Sequence, residues 1–486
     1  MNKSANKILK KLFPLSSKEN TLYIVGGFIR DSVLNRNTSD IDIAVKGDTV
    51  RTARKFSKIC GGNFVLLDNK EMIYRVIVKT GKASFSVDFS AMRGNKIEDD
   101  LLLRDFTINS MAIKLDNENI SFKPKKIIDP CGGLLDIRKK TLRTTSGSIF
   151  RNDPLRLMRA FRMAATLNFK IEKSTCGLIK KNVSLISSNT SRERISTELF
   201  KILEVESSSQ WFSVMHDIGL LRKIMPKTAL MEISKENYYH EGGLWEHSIK
   251  TLDSIEKLAN NLKIYFPAAV SRLIDHLNEM VSARANRLML LKLSAILHDI
   301  GKPVTARKTG GKISFHGHEA AGAKISVKIL EELRLSNKEI RIIEKEIKHH
   351  MRPANLSSSN MLTNKAIYRY FRDLSEEGIE VLLLSLADRY SYGCVHTFIS
   401  EKKSTLEKQK IFTEMLFASY FFNKNRIIPV NILNGDDIMS IFNIREGPEI
   451  GIMLEKLKEA QSVGKVNSKK EAVEFLGNYI NRKVRE

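Results

Sequence analysis

Residues 26–45 read Gly26-Gly27-Phe28-Ile29-Arg30-Asp31-Ser32-Val33-Leu34 and then, after a short polar link, Asp40-Ile41-Asp42-Ile43-Ala44-Val45. In a strand the side chains alternate faces, so Asp40 and Asp42 point one way and Ile41 and Ile43 point into a core. Two carboxylates about 7 Å apart along a strand can share divalent ions, and hard oxygen ligands suit Mg²⁺. The preceding Gly26-Gly27 lets a phosphate approach backbone N–H groups closely. The helix expected to start there adds positive potential. Asp88, in Ser86-Val87-Asp88-Phe89-Ser90, lies in another expected strand and is the candidate for a third carboxylate. This pattern suits nucleotidyl transfer, in which metal ions activate a hydroxyl and neutralise a triphosphate leaving group.

Around this stretch the chain is mixed. Short β-type runs (LYIVGG, DIDIAV, NFVLL, YRVIVKT, SFSVDFS) fill residues 21 to about 145, with a short helix between the first two. After about residue 146 the strand signals nearly vanish and apolar residues recur at helical spacing. The expected class is α+β: a small α/β head, then a mostly helical neck and body. The expected boundaries are 1–145 for the head, 146–225 for the neck, 226–405 for a third domain and 406–486 for a helical tail. SLISSNTSRER and NLSSSNMLTN are the expected polar loops.

The chain has 486 residues and a formal net charge of +25. Such a basic balance in a chain with 42% apolar residues points to a folded protein with a polyanionic partner, most often nucleic acid. No long apolar run suggests a membrane span, and the first residues do not read as a secretory signal. The four cysteines (Cys60, Cys131, Cys176, Cys394) form no CxxC pair, so a reducing cytoplasm is expected.

GGFIRDSVL followed by DIDIAV resembles the first signature of the class II tRNA nucleotidyltransferase and poly(A) polymerase superfamily. Further elements follow in the family's order. LRDFTINSMAI, with Arg104, Asp105 and Asn109, is similar to the RRDFTINAMA element that helps bind ribose and triphosphate; Leu103 stands where the first Arg is usual. DPCGGLLDI (Asp129 to Ile137) is similar to the element joining head and neck. NDPLRLMRAFRMAATLNF resembles the EDxxR segment, with Asn152 in place of the usual Glu. Asp153 and Arg156 match the pair that reads the Watson–Crick edge of the incoming base. Three residues apart on a helix they would share a face, with an acceptor beside a fixed fork of donors. ERISTEL, which includes Arg194, matches the next helical element. The resemblance implies nucleotide-binding roles for Gly26, Gly27, Arg30, Arg104, Asp105, Asn109, Asp153, Arg156 and Arg194. It implies catalytic roles for Asp40, Asp42 and Asp88, with Mg²⁺ on Asp40 and Asp42.

A second pattern lies in the body. His298-Asp299 follows an apolar helical run and precedes Ile300-Gly301-Lys302. His247 lies upstream; His318, the His349-His350 doublet and Asp388 lie downstream. Adjacent His and Asp with spaced histidines can hold a binuclear centre. The order resembles the HD phosphohydrolase superfamily, which implies His247, His298, Asp299 and Asp388 as core metal ligands. It implies His318 and one of the doublet, taken as His349, as the extra ligands of two-metal members. Imidazoles suit a transition metal such as Ni²⁺, Mn²⁺ or Co²⁺. A second HDIG, at His216 to Gly219, has no suitable histidine before it and reads as structural. LNGDDIMSIFNIREGPEIGIM resembles the family's C-terminal segment, where the helix opening at Gly447-Pro448 could meet an RNA phosphate.

The resemblance implies a tRNA 3′-end enzyme that adds C and/or A from CTP and ATP without a nucleic-acid template. Poly(A) polymerases of the family carry a basic GRRF-type stretch where this chain has MIYRVIVKT. Only ten residues separate Arg93 from Arg104, which resembles variants that add CC alone. An RNA-end repair phosphatase working through the HD centre is the alternative from another class.

Overall fold

The computed structural model describes residues 3–69, 72–81, 83–116, 122–186, 190–233, 243–310, 312–358, 363–392 and 399–483. Parts of both expected polar loops, residues 187–189 and 359–362, and Cys394 lie outside them. The chain forms two compact units, Met1–Thr190 and Ser191–Glu486.

The first unit is built on a six-stranded sheet made of β1 (Thr21–Val25), β2 (Asp40–Lys46), β3 (Asn63–Asp68), β4 (Ile73–Thr80), β5 (Ala83–Ala91) and β6 (Ala112–Lys114). Their order across the sheet is β3-β4-β5-β2-β1-β6. β2 runs parallel to β5, and the other neighbours are antiparallel. The parallel pair needs a long crossover, which here includes the helix Thr49–Cys60. Asp48 starts that helix by accepting from the Arg51 N–H at 2.8 Å, and Gly61 ends it in the left-handed region at φ 62°. The alternation expected from the sequence is present: Ile41 and Ile43 of β2 and Val87 and Phe89 of β5 are buried. Phe56 of the crossover helix meets Phe89 at 5.4 Å between ring centroids. On the other face the helix Ile97–Leu102 packs Ile97 and Leu101 against Val25, Ala44 and Ala112.

The expected boundary after residue 145 is crossed by structure. Thr141–Leu142 pairs in parallel with Lys170–Ile171, and the Thr144 N–H donates to Thr175 Oγ1 at 3.2 Å. Asp153 also departs from expectation. It does not sit on a helix with Arg156 but precedes it, in extended backbone at φ −148°, ψ 103°. The cause is Pro154, which disfavours helical backbone at the residue before it. The helix itself runs Arg156–Leu167.

Among the described residues of the second unit, the strand pair Arg307–Thr309 and Lys312–Ser314 is the only extended ladder in a helical body. Its central helix, Arg287–Leu297, is buried on all sides, so it reads as one apolar run rather than as a stripe. The expected boundary at 405/406 falls inside the continuous helix Ile399–Phe422. The tail helices have their own core, with Leu433, Ile438, Met453, Leu457, Ala472 and Leu476 buried together. Among the described residues no helix is long and apolar enough to cross a membrane.

Candidate active site and candidate metal centre

In the head the register does the assembling. Asp42 lies opposite Asp88 across the parallel pair β2/β5, and Asp40 lies opposite Ser86. Burial is the main cause that pushes the Asp42 carboxyl up to about 6; Arg104 opposes it, and the charges of Asp88 and Asp40 add to it. A buried carboxyl held beside two further carboxylates is suited to a divalent cation. Gly26 closes one side at φ 74°, and a Cβ there would come within 2.6 Å of Asp42 Oδ2 and 3.4 Å of Arg104 Nη1. Only glycine leaves that space to the carboxylate and to whatever it binds.

The remaining expected head residues form one linked network. Arg30 pairs with Asp31 at 2.8 Å and donates to Asn109 Oδ1 at 2.6 Å. Asn109 donates to Asp105 at 3.0 Å, and Arg159 grips the other Asp105 oxygen at 2.7 Å. Burial would raise the Asp105 pKa, but Arg159, Asn109 and the Phe106 N–H hold it down at about 2. Arg104 and Arg93 both bind the buried Asp100, at 3.0 and 3.1 Å. Asp153 accepts from the Leu155 N–H at 3.1 Å. Arg156 opens the helix and reaches the Ile149 carbonyl at 3.3 Å. Arg194 lies in the second unit, on the helix Arg192–Leu203.

Arg75, Asp100 and Arg159 were not anticipated. Arg159 had a signal, since it follows Arg156 by three positions on a helix. Arg75 had only its place in an alternating strand. It donates from Nε to Asp88 Oδ1 at 2.7 Å and from Nη2 to Oδ2 at 2.8 Å, so both oxygens of the expected third carboxylate are engaged.

In the second unit five helices converge. His247 stands on Gly243–Asn260, His298 and Asp299 follow Arg287–Leu297, His318 opens His318–Glu332, His350 follows Asn337–His349, and Asp388 lies on Gly378–Ser391. Donor atoms of His247, His298, Asp299 and Asp388 lie within 4.8 Å of one another, and so do those of Asp299, His318 and His350. Asp299 belongs to both groups. The doublet resolves against expectation: His350 is in the cluster and His349 is in neither group. Burial and the neighbouring Arg352 and Lys348 lower the His349 pKa.

The hydrogen bonds behind these rings favour a metal. His298, His318 and His350 direct Nδ1 to the carbonyls of Ala295, Phe315 and Ile347 at 2.9, 2.8 and 2.7 Å. With Nδ1 as donor, Nε2 is left as a lone pair aimed at the carboxylates. His298 Nε2 is 3.2 Å from Asp299 Oδ2, and His318 Nε2 is 3.3 Å from Asp299 Oδ1. Acceptors facing acceptors are favourable only with a cation among them, either a metal ion or a proton on the ring. Burial disfavours a charged His298, yet Asp299 and Asp388 push its pKa up to about 10, so without a metal the ring carries a proton toward these carboxylates, and a metal would take that proton's place. Lys302, also unanticipated, places Nζ 2.5 Å from Asp299 Oδ2. His216 of the second HDIG stacks on Trp245 at 4.3 Å and belongs to neither group.

Residues 22–143 match the poly(A) polymerase head domain, 168–231 the probable RNA and SrmB binding site of polymerase A, and 244–393 the HD domain. Over 459 residues the chain is 26% identical to an A-adding tRNA nucleotidyltransferase from Deinococcus radiodurans, covering 93% of this chain and 94% of that one. It is 28% identical over 462 residues to a CC-adding tRNA nucleotidyltransferase from Geobacter sulfurreducens, covering 93% and 91%. The chain belongs to the CCA-adding tRNA nucleotidyltransferase and poly(A) polymerase family. Solved structures of the same fold as this family member include a CCA-adding enzyme in complex with ATP, with a TM-score of 0.66, 22% identity and coverage of 99% and 96%. Another is the Thermotoga maritima CCA-adding enzyme complexed with tRNA, with a TM-score of 0.63, 22% identity and coverage of 98% and 95%.

Proposed function

We propose that this nucleotidyltransferase adds C and/or A residues from CTP and ATP to the 3′ end of tRNA, in the cytoplasm, without a nucleic-acid template. The observation that carries this reading is the register that sets Asp42 beside Asp88, with Asp40 on the same face and the Gly26 backbone against Asp42. Asp40 and Asp42 would hold Mg²⁺, which supplies charge neutralisation at the triphosphate and activation of the attacking hydroxyl. Gly26 and Gly27 leave room for the triphosphate. The network of Arg30, Asn109, Asp105 and Arg159 orients the sugar and phosphates. Asp153 and Arg156 offer an acceptor and donors to the base edge, and Arg194 belongs to the same binding function. The deciding experiment is a product ladder on tRNA lacking CCA, with CTP alone, ATP alone and both. Extension by C only, by A only, by CCA or by a long A tract distinguishes the alternatives, and no extension rejects the reading.

A second activity is favoured by the histidine and aspartate cluster of the HD domain. His247, His298, Asp299, His318, His350 and Asp388 would hold transition-metal ions, which supply an activated water for phosphoester hydrolysis. Hydrolysis of a tRNA ending in a 2′,3′-cyclic phosphate, with Ni²⁺, Mn²⁺ or Co²⁺ supplied in turn, tests it. No hydrolysis with any of them makes this domain a scaffold.

A further inference from the structure

Arg75, Asp88 and Asp42 stand in one row across β4, β5 and β2. Residues opposite one another in a sheet share a face, and Asp40, two positions along β2, shares it too. Arg75 uses two donors on the two oxygens of Asp88, the fork geometry that guanidinium makes with carboxylate. Its side chain is 36% exposed, so it has a free path away from Asp88. The negative charges of Asp40 and Asp42 act on the same guanidinium. A cation arriving at these aspartates meets a carboxylate that is already occupied and a positive charge that repels it.

We propose that Arg75 is the resident counter-ion of the head site: it holds Asp88 beside Asp42 and competes with divalent metal for that carboxylate. Arg75 is thus a positioning residue that acts through Asp88 and sets the metal affinity of the nucleotide-free head. This rests on reading the head as a metal-dependent nucleotidyltransferase site. The competition has a direction. Removing the guanidinium tightens metal binding, whereas a residue that merely stabilised the sheet would change melting and leave metal affinity alone.

The test is Mn²⁺ binding to the nucleotide-free full chain, followed by electron paramagnetic resonance. It is made in an Asp299→Ala background that removes the ligand common to both HD groups. If that background melts early, difference isotherms against Asp42→Asn isolate the head instead. Arg75→Gln is expected to bind Mn²⁺ about three- to tenfold more tightly. Arg75→Lys, which keeps the charge and loses the fork, is expected to fall between Gln and wild type. Asp88→Asn is expected to bind more weakly, and adding Arg75→Gln to it should give a smaller gain than the same change gives in wild type. Unchanged or weaker binding by a folded Arg75→Gln protein overturns the proposal. So does a gain of full size in the double variant, because Arg75 would then not act through Asp88. The underlying reading fails separately, if Asp42→Asn keeps wild-type Mn²⁺ binding and nucleotide addition.

Discussion

Gly301 and Gly322 lie backbone against backbone. A Cβ on Gly301 would stand 2.5 Å from the Gly322 nitrogen and 2.1 Å from the His318 carbonyl oxygen. This approach brings the helix that begins at His318 close enough for its imidazole to reach Asp299. Gly301→Ala is expected to push that helix away, cost about 1–3 kcal/mol of stability and empty the HD centre of metal. Thermal melting and metal content measure both effects. Full metal occupancy with an unchanged melting temperature refutes the packing argument.

Asp40→Ala and Asp42→Ala are each expected to abolish nucleotide addition and leave the fold intact, since neither carboxylate belongs to the apolar packing made by Ile41, Ile43 and Ala44. Incorporation of labelled CTP and ATP, alongside circular dichroism, measures this. Near-normal incorporation by either variant at ordinary Mg²⁺ removes that residue from the site.

Arg156→Ala is expected to blur the choice between CTP and ATP and slow addition of both. Leaving a polar base edge unpaired costs about 1–3 kcal/mol, or roughly a 5- to 160-fold loss in kcat/KM. Wild-type kinetics for both nucleotides would leave Arg156 with a purely local role, such as its contact to the Ile149 carbonyl.

His350→Ala is expected to weaken metal binding at the HD centre about tenfold or more, while His349→Ala leaves it unchanged. Metal analysis after loading with Mn²⁺ or Ni²⁺ reads the difference. The reverse result exchanges the roles of the two histidines.

Asp105 makes acid stability a measurable property of the nucleotide-binding network. Its folded pKa of about 2 lies below the usual aspartate value, so the ionised form favours the folded state. That contribution, about 2–3 kcal/mol, is fully present above roughly pH 4 and is lost as the pH falls through about 2. Asp105→Asn is expected to lower the urea midpoint at pH 7, and the gap to wild type is expected to shrink from pH 4 downward. A gap of constant size across that range means that the ionisation of Asp105 contributes nothing to stability.

The sequence alone determined the local elements and the inventory of chemistry. Period-two alternation placed Asp40 and Asp42 on one strand face. The order of motifs identified the family, and the spacing of His247, His298, Asp299, His318 and Asp388 marked a metal centre. These are legible because a strand or helix sets side-chain direction from near neighbours only. Pro154 was legible too, and its effect on Asp153 outweighs the helical spacing to Arg156. Other features were decided by tertiary structure. The parallel register that puts Asp88 beside Asp42 joins strands whose separation in the chain carries no register signal, whereas Arg75 meets Asp88 through the short antiparallel hairpin that sets Thr80 opposite Ala83. Consecutive residues at a helix end point about 100° apart, so whether His349 or His350 faces Asp299 depends on how that helix packs. Long-range packing likewise sets Gly301 against Gly322, because the need for a missing side chain appears only once the second backbone is in place.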